Sequence, residues 1–296
     1  NAVQPMNVAG DITEFEVSPD GDEIAFIARG EVFVTSTDHA ATRRITDTPE
    51  QERSVSFSPD GRSLLYASER GGSWNLYRAD MTDDEEPDFF NATAVEERPV
   101  LEIEAETFQP RFSPDGKEVA YLEERTELKV LNLESGATRT ILPGDVNYSY
   151  IDGDQWFEWS PDGRHLLVQF LSPTRWEYEV GVVPVDGSTD VVNLTRSGYA
   201  DVIPRWALDG EAVFWFTDRY GSRMQAGWSS EYDLKLGFFT QQAYDRYQLS
   251  EAEFEQLQER EKDDEKDEKK GGDEEDGNGD DEDGPELPDP VDLELE

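Results

Sequence analysis

The chain has 296 residues, with 69 Asp plus Glu against 26 Lys plus Arg, a formal net charge of -43, two histidines and no cysteine. That balance excludes an overall basic field for nucleic acid or an anionic membrane surface. It also excludes disulfides, thiolate nucleophiles and cysteine-ligated zinc or iron–sulfur centres, and no apolar run reaches the ~18 residues that a spanning helix requires.

The acidity is not confined to one segment. Residues 251–296 hold 23 acids against 5 bases, and residues 1–250 hold 46 against 21, with only Lys117, Lys129 and Lys235 as lysines. An acidic surface that prefers arginine is what adaptation to high salt produces, because screened carboxylates stay hydrated while their repulsion is damped. A halophilic protein is therefore expected.

In chain order, one tetrapeptide recurs: Ser18-Pro19-Asp20-Gly21, Ser58-Pro59-Asp60-Gly61, Ser113-Pro114-Asp115-Gly116 and Ser160-Pro161-Asp162-Gly163, with a worn copy at Ala207-Leu208-Asp209-Gly210. Successive copies start 40, 55, 47 and 47 residues apart, which suits a unit of four short antiparallel strands. Proline presets the first central position of a type I turn, and glycine accepts the left-handed conformation that follows, so each copy should join two neighbouring strands. The flanks agree: Ser54-Val55-Ser56-Phe57 and Leu64-Leu65-Tyr66 around the second copy, Phe157-Glu158-Trp159 and Leu166-Leu167-Val168 around the fourth. Third strands are expected at Glu31–Val34, Trp74–Tyr77, Leu128–Leu131 and Tyr178–Val182, and fourth strands at Thr42–Thr46 and Val191–Thr195. A sheet that is apolar on both faces must be covered on both, and radial stacking does this. The expected fold is an all-β β-propeller with five visible four-stranded blades.

These units, among them Phe57-Ser58-Pro59-Asp60-Gly61 … Leu65-Tyr66-Ala67-Ser68-Glu69-Arg70-Gly71-Gly72 … Leu76-Tyr77, resemble the propeller repeats of TolB and of the tricorn protease over about residues 8–240. The opening Gly10-Asp11-Ile12-Thr13 through Phe33, and the closing Pro290-Val291-Asp292-Leu293, are similar to segments of tricorn-type serine proteases. That resemblance implies a six-bladed ring, with a closed five-bladed ring as the structural alternative. It further implies a non-catalytic N-terminal propeller that admits or sorts oligopeptides for a serine-protease core lying downstream of Glu296. Asn1 in place of an initiator methionine suggests an excised piece. Oligopeptides, downstream domains of the same chain and a homo-oligomer are the expected partners, with no nucleic acid and no membrane. Two alternatives from other classes stand beside it: a TolB-like module that grips a partner protein, and the propeller of a prolyl-oligopeptidase-like hydrolase. Cytoplasm is the expected location, with periplasm or export as the alternative.

Three divisions follow: a propeller over 1–240, a helical appendage over 241–270, and a disordered acidic flexible linker over 271–296. Ser250-Glu251-Ala252-Glu253 reads as a capping box, and Phe254 and Leu257 share a face, so a short helix is expected over 250–262. The run from Gly271 to Gly284 is almost pure Asp, Glu and Gly and lacks the apolar surface needed to order itself. It does not fit a calcium loop: with Gly277 at loop position six, Gly272 falls at position one, and with Gly279 at six, Pro285 falls at twelve. No metal and no cofactor are expected.

Catalytic residues are expected to be none in this chain. His165 opens an expected strand and His39 lies in an expected hairpin turn, both as surface residues, and no Gly-x-Ser-x-Gly or His-Glu-x-x-His is present. The remaining functional surface is the channel mouth, lined by residues that enter the innermost strands: Glu52 with Arg53, Gln109 with Arg111, Gln155 with Trp156, and Arg205 with Trp206. Arg53, Arg111, Trp156 and Arg205 are the binding candidates, the arginines holding peptide carboxylates or instead locking the ring to neighbouring acids. Trp74, Trp159, Trp176, Trp206, Trp215 and Trp228 are expected mostly to pack between blades.

Overall fold

The computed structural model describes residues 7–8, 10–150, 153–174, 176–223, 230–258 and 260. The turn tetrapeptide explains why the strands form where they do. In all four intact copies the serine Oγ donates to the aspartate at 2.5 Å and accepts the backbone N–H of the residue five positions on at 2.9 Å. The aspartate accepts a second N–H at 3.0–3.1 Å, and the glycine takes φ between 69° and 83°. The worn copy forms a 3-10 turn over Leu208–Gly210, with Leu208 at φ 51 and Asp209 at φ 52. Proline, fixed near φ -65°, could not adopt that turn, which accounts for its absence from this copy.

Five antiparallel sheets follow one another along the chain. The first runs β1 (Ile12–Val17), β2 (Glu23–Ala28), β3 (Glu31–Ser36) and β4 (Thr42–Arg44). The second contains β5 (Glu52–Phe57), β6 (Ser63–Ser68), β7 (Asn75–Met81) and β8 (Val95–Leu101), and the third β9 (Thr107–Phe112), β10 (Glu118–Glu123), β11 (Glu127–Asn132) and β12 (Thr138–Leu142). The fourth holds β13 (Phe157–Trp159), β14 (His165–Leu171), β15 (Tyr178–Pro184) and β16 (Val192–Asn193). Among the described residues the fifth has three strands, β17 (Asp201–Ala207), β18 (Ala212–Thr217) and β19 (Asp233–Phe238), where four were expected.

The core lies between sheets, as the two-sided apolar pattern requires. Adjacent residues of β6 part to opposite faces: Leu64 and Tyr66 pack toward sheet one, Leu65 and Ala67 toward sheets three and four. Leu167, Val180, Val182 and Val213 fill the space between sheets four and five, with Trp206 and Trp215 against them. Trp74 and Trp159 are buried as expected of packing aromatics, whereas Trp176 is exposed and Trp228 lies outside the described residues. Phe15 on β1 is 70% exposed and Leu234 on β19 is 62% exposed, so the first and last sheets each present apolar side chains outward.

Beyond β19, α1 (Gln241–Tyr247) is capped by Thr240, whose side chain accepts the Ala243 N–H, and Phe238 packs against Tyr244 and Tyr247 at 5.3 and 5.2 Å. Residues 251–258 are helical within the span expected from sequence. The Glu253 carboxylate accepts both the backbone N–H and the hydroxyl of Ser250 at 2.9 and 2.6 Å, so one half of the capping box is made. The expected linker at 271–296 lies outside the described residues.

Candidate functional site

The inner strands β1, β5, β9, β13 and β17 converge, and one sequence position in each lines the convergence. Two residues before the turn serine, or its Ala207 equivalent, stand Glu16, Ser56, Arg111, Glu158 and Arg205. Arg111 Nη1 donates to Glu16 Oε2 at 2.8 Å and to the Val55 carbonyl at 3.1 Å, tying the third sheet to the first and second. Ser56 Oγ donates to the Pro110 carbonyl at 2.9 Å. Glu158 accepts the Trp206 N–H at 3.0 Å and lies 3.8 Å from Arg205, whose guanidinium covers the Trp156 ring at 5.0 Å.

Backbone irregularity opens this region. Ser54, Gln109 and Ile203 have φ of 58°, 51° and 55°, in the left-handed region that non-glycine residues rarely occupy. Each sits at a register shift between its inner strand and the next strand, which is the geometry of a β-bulge. Two of the freed N–H groups find side-chain acceptors. Ser54 N donates to Glu14 Oε2 at 2.6 Å, and Ile203 N to Gln169 Oε1 at 3.0 Å, each reaching the preceding sheet.

At the mouth lies a cavity of about 650 Å³ whose lining includes Thr13, Glu14, Phe15, Arg53, Gln109 and Arg111. Gln109 donates from Nε2 to the Gln155 carbonyl at 2.9 Å, while the Oε1 atoms of both glutamines are buried without a hydrogen-bond partner. Glu52, at the rim, is fully buried and accepts from Thr48 and Ser68 at 3.0 Å, with Arg70 at 3.4 Å. Burial pushes its carboxyl above the usual range, opposed by those hydroxyls and by Arg70. Glu158 is raised for the same first reason, opposed by the Trp206 N–H, Arg205 and Arg111 and reinforced by Glu16.

Of the sequence candidates, Arg53 and Arg111 line the cavity, and Arg205 and Trp156 stack on each other beside Glu158. Arg53 lies over the Trp74 ring at 5.4 Å and belongs to a different strand position from the other two arginines. Sequence reading did not single out Glu16 and Glu158. Superposing the repeats on their turn serines would have found them, because both occupy the position of Arg111 and Arg205. His39 lies in the exposed turn after Ser36, and His165 opens β14 with Nδ1 buried and unpartnered and its pKa lowered, chiefly by burial. Among the described residues, no group of three or more His, Asp or Glu side chains is placed to hold a metal ion.

No protein-family model matches the chain, and no curated protein does. Among solved structures it is similar to the putative TolB of Agrobacterium tumefaciens, with 20% identity and a TM-score of 0.54 over 77% of this chain and 76% of that one. The tricorn protease gives 16% identity and a TM-score of 0.56 over 80% of this chain and 22% of that one. The oligogalacturonate lyase of Vibrio parahaemolyticus gives 10% and 0.53 over 77% and 63%. The expected cytoplasmic location is corrected: the structures that the chain resembles include TolB, a periplasmic protein, so the likeness gives cytoplasm no support. Likeness at these identities is one of fold: several four-stranded antiparallel sheets in a propeller-type arrangement, similar to the propellers of TolB and the tricorn protease and not specific to a tricorn-type protease.

Proposed function

We propose that this chain is a binding propeller whose channel mouth holds an extended polar segment of a partner protein, the TolB-like reading. The observation that carries it is the convergence of Glu16, Arg111, Glu158 and Arg205 from four different sheets beside a cavity of about 650 Å³. Guanidinium groups offer paired N–H donors to a carboxylate. On this reading residues 1–240 carry the binding surface, and 241–270 and 271–296 form the appendage and linker.

Fluorescence anisotropy with a panel of extended ten-residue peptides, acidic and neutral, tests it. Acidic members should bind, and Arg111→Gln and Arg205→Gln should each weaken them at least fivefold. Equal binding by wild type and both variants would refute the site. The tricorn-type reading, in which the mouth admits oligopeptides, is favoured by the presence of both charge signs there, which suits a peptide's two free ends. Capping both termini should abolish binding on that reading and leave it intact on the first.

A further inference from the structure

Sheets one to four each have four strands, whereas the fifth stops at β19, whose outer edge carries no fourth strand among the described residues. An open edge presents a row of unpaired backbone groups and invites a strand. Beside it runs a groove of about 390 Å³ between sheets four and five, with Val192, Leu194 and Arg196 on one wall and Trp215, Gly237 and Phe239 on the other.

The chain contains a matching segment. Val291, Leu293 and Leu295 alternate with Asp292, Glu294 and Glu296, the period-two pattern of a strand with one apolar face. We propose that Val291–Leu295, at the far end of the expected linker, pairs antiparallel with β19 as the fourth strand of the fifth sheet, its apolar side chains closing the groove and its acids on the opposite face, toward solvent. The connection is feasible. A flexible chain of 29 residues, the length of 261–289, has a root-mean-square reach of about 5–6 Å × √29, roughly 30 Å. The groove is shorter, since a five-residue strand spans about 17 Å. A long insertion between third and fourth strands has a precedent in this molecule: residues 82–94 separate β7 from β8. The chain also leaves β19 at its Phe238 end, folds α1 back onto Phe238, and so starts the connection where an antiparallel partner must begin.

The absence of cysteine makes a direct test clean. Lys235 pairs opposite Trp215 and shares its groove-side face. In the full chain, Lys235→Cys is combined in turn with Val291→Cys, Leu293→Cys and Leu295→Cys and mildly oxidised. One combination should form an intramolecular disulfide at a yield unchanged by tenfold dilution. Dimers alone, which would make a second copy the occupant, or no cross-link in any combination, would overturn the proposal. Independently, peptide-level hydrogen exchange of the full chain should show residues 233–238 exchanging at least tenfold faster in Leu293→Asp than in wild type, with Asp292→Asn near wild type. Identical exchange in wild type and Leu293→Asp would also overturn it.

Discussion

Arg111 of the third sheet reaches past the second to Glu16 of the first, with Nη1 2.8 Å from Oε2, and donates to the Val55 carbonyl on the way. One guanidinium thus fastens three inner strands. Arg111→Gln removes a half-exposed ion pair, worth little alone, and strips a donor from the Val55 carbonyl. We expect a loss of about 1–3 kcal/mol in urea unfolding. Arg53→Gln, which gives up a ring contact with Trp74, should cost less, about 1 kcal/mol.

The turns supply a second comparison. Ser58 Oγ both accepts from Ser63 N and donates to Asp60, so Ser58→Ala should destabilise by about 1–2 kcal/mol. Gly61→Ala, at φ 71, should cost about 1–2 kcal/mol for the left-handed backbone. Restoring the repeat at its worn copy should do harm: Leu208→Pro cannot meet φ 51 and should lose more than about 1 kcal/mol. Urea midpoints at a fixed m-value measure all three.

Glu158 makes binding depend on pH. Burial raises its carboxyl in the folded state, so as pH falls it takes up a proton before an exposed carboxylate does. Protonation leaves Arg111 and Arg205 less compensated, so affinity for an acidic peptide should rise as pH falls toward the usual carboxylate range, while peptide carboxylates remain ionised. Stability moves the same way: with the folded pKa above the unfolded one, the carboxyl's contribution is fully favourable below the unfolded value and is lost as pH rises through the folded one. Glu158→Gln should flatten the binding profile and lessen the slope of the stability profile, to which Glu23, Glu52 and Glu177 also contribute, as anisotropy and urea titrations at several pH values would reveal.

A net charge of -43 implies strong self-repulsion that salt screens. The melting temperature should climb from 0.1 M to 2 M KCl, with a non-ionic osmolyte of equal osmolality reproducing less than half of the rise. A flat salt response would refute the halophilic reading.

Much of the fold was legible because the turn chemistry is local: Ser-Pro-Asp-Gly announces a hairpin wherever it occurs, and β-branched or aromatic residues flank it. β8 escaped because its sequence, Val-Glu-Glu-Arg-Pro-Val-Leu, carries proline and three charges, tolerable in an edge strand that pairs on one side only. α1 lies inside the helical appendage expected over 241–270 but was not marked off as a separate helix, because its seven residues offer little apolar periodicity and docking of Tyr244 and Tyr247 onto Phe238 holds it. At the mouth, arginines were sought as a residue type. What unites the cluster is strand position, shared by Glu16, Arg111, Glu158 and Arg205. The bulges at Ser54, Gln109 and Ile203 left no trace, since no glycine marks them and only packing of inner strands imposes them.

The serine and aspartate side chains of each intact turn close their polar bonds within six residues, so a hairpin carries its own stabilising hardware wherever it is copied. Gene duplication could therefore lengthen or shorten such an array without any turn having to recruit a new distant partner. Divergence would then accumulate at the convergence point, where every added unit alters which charges meet.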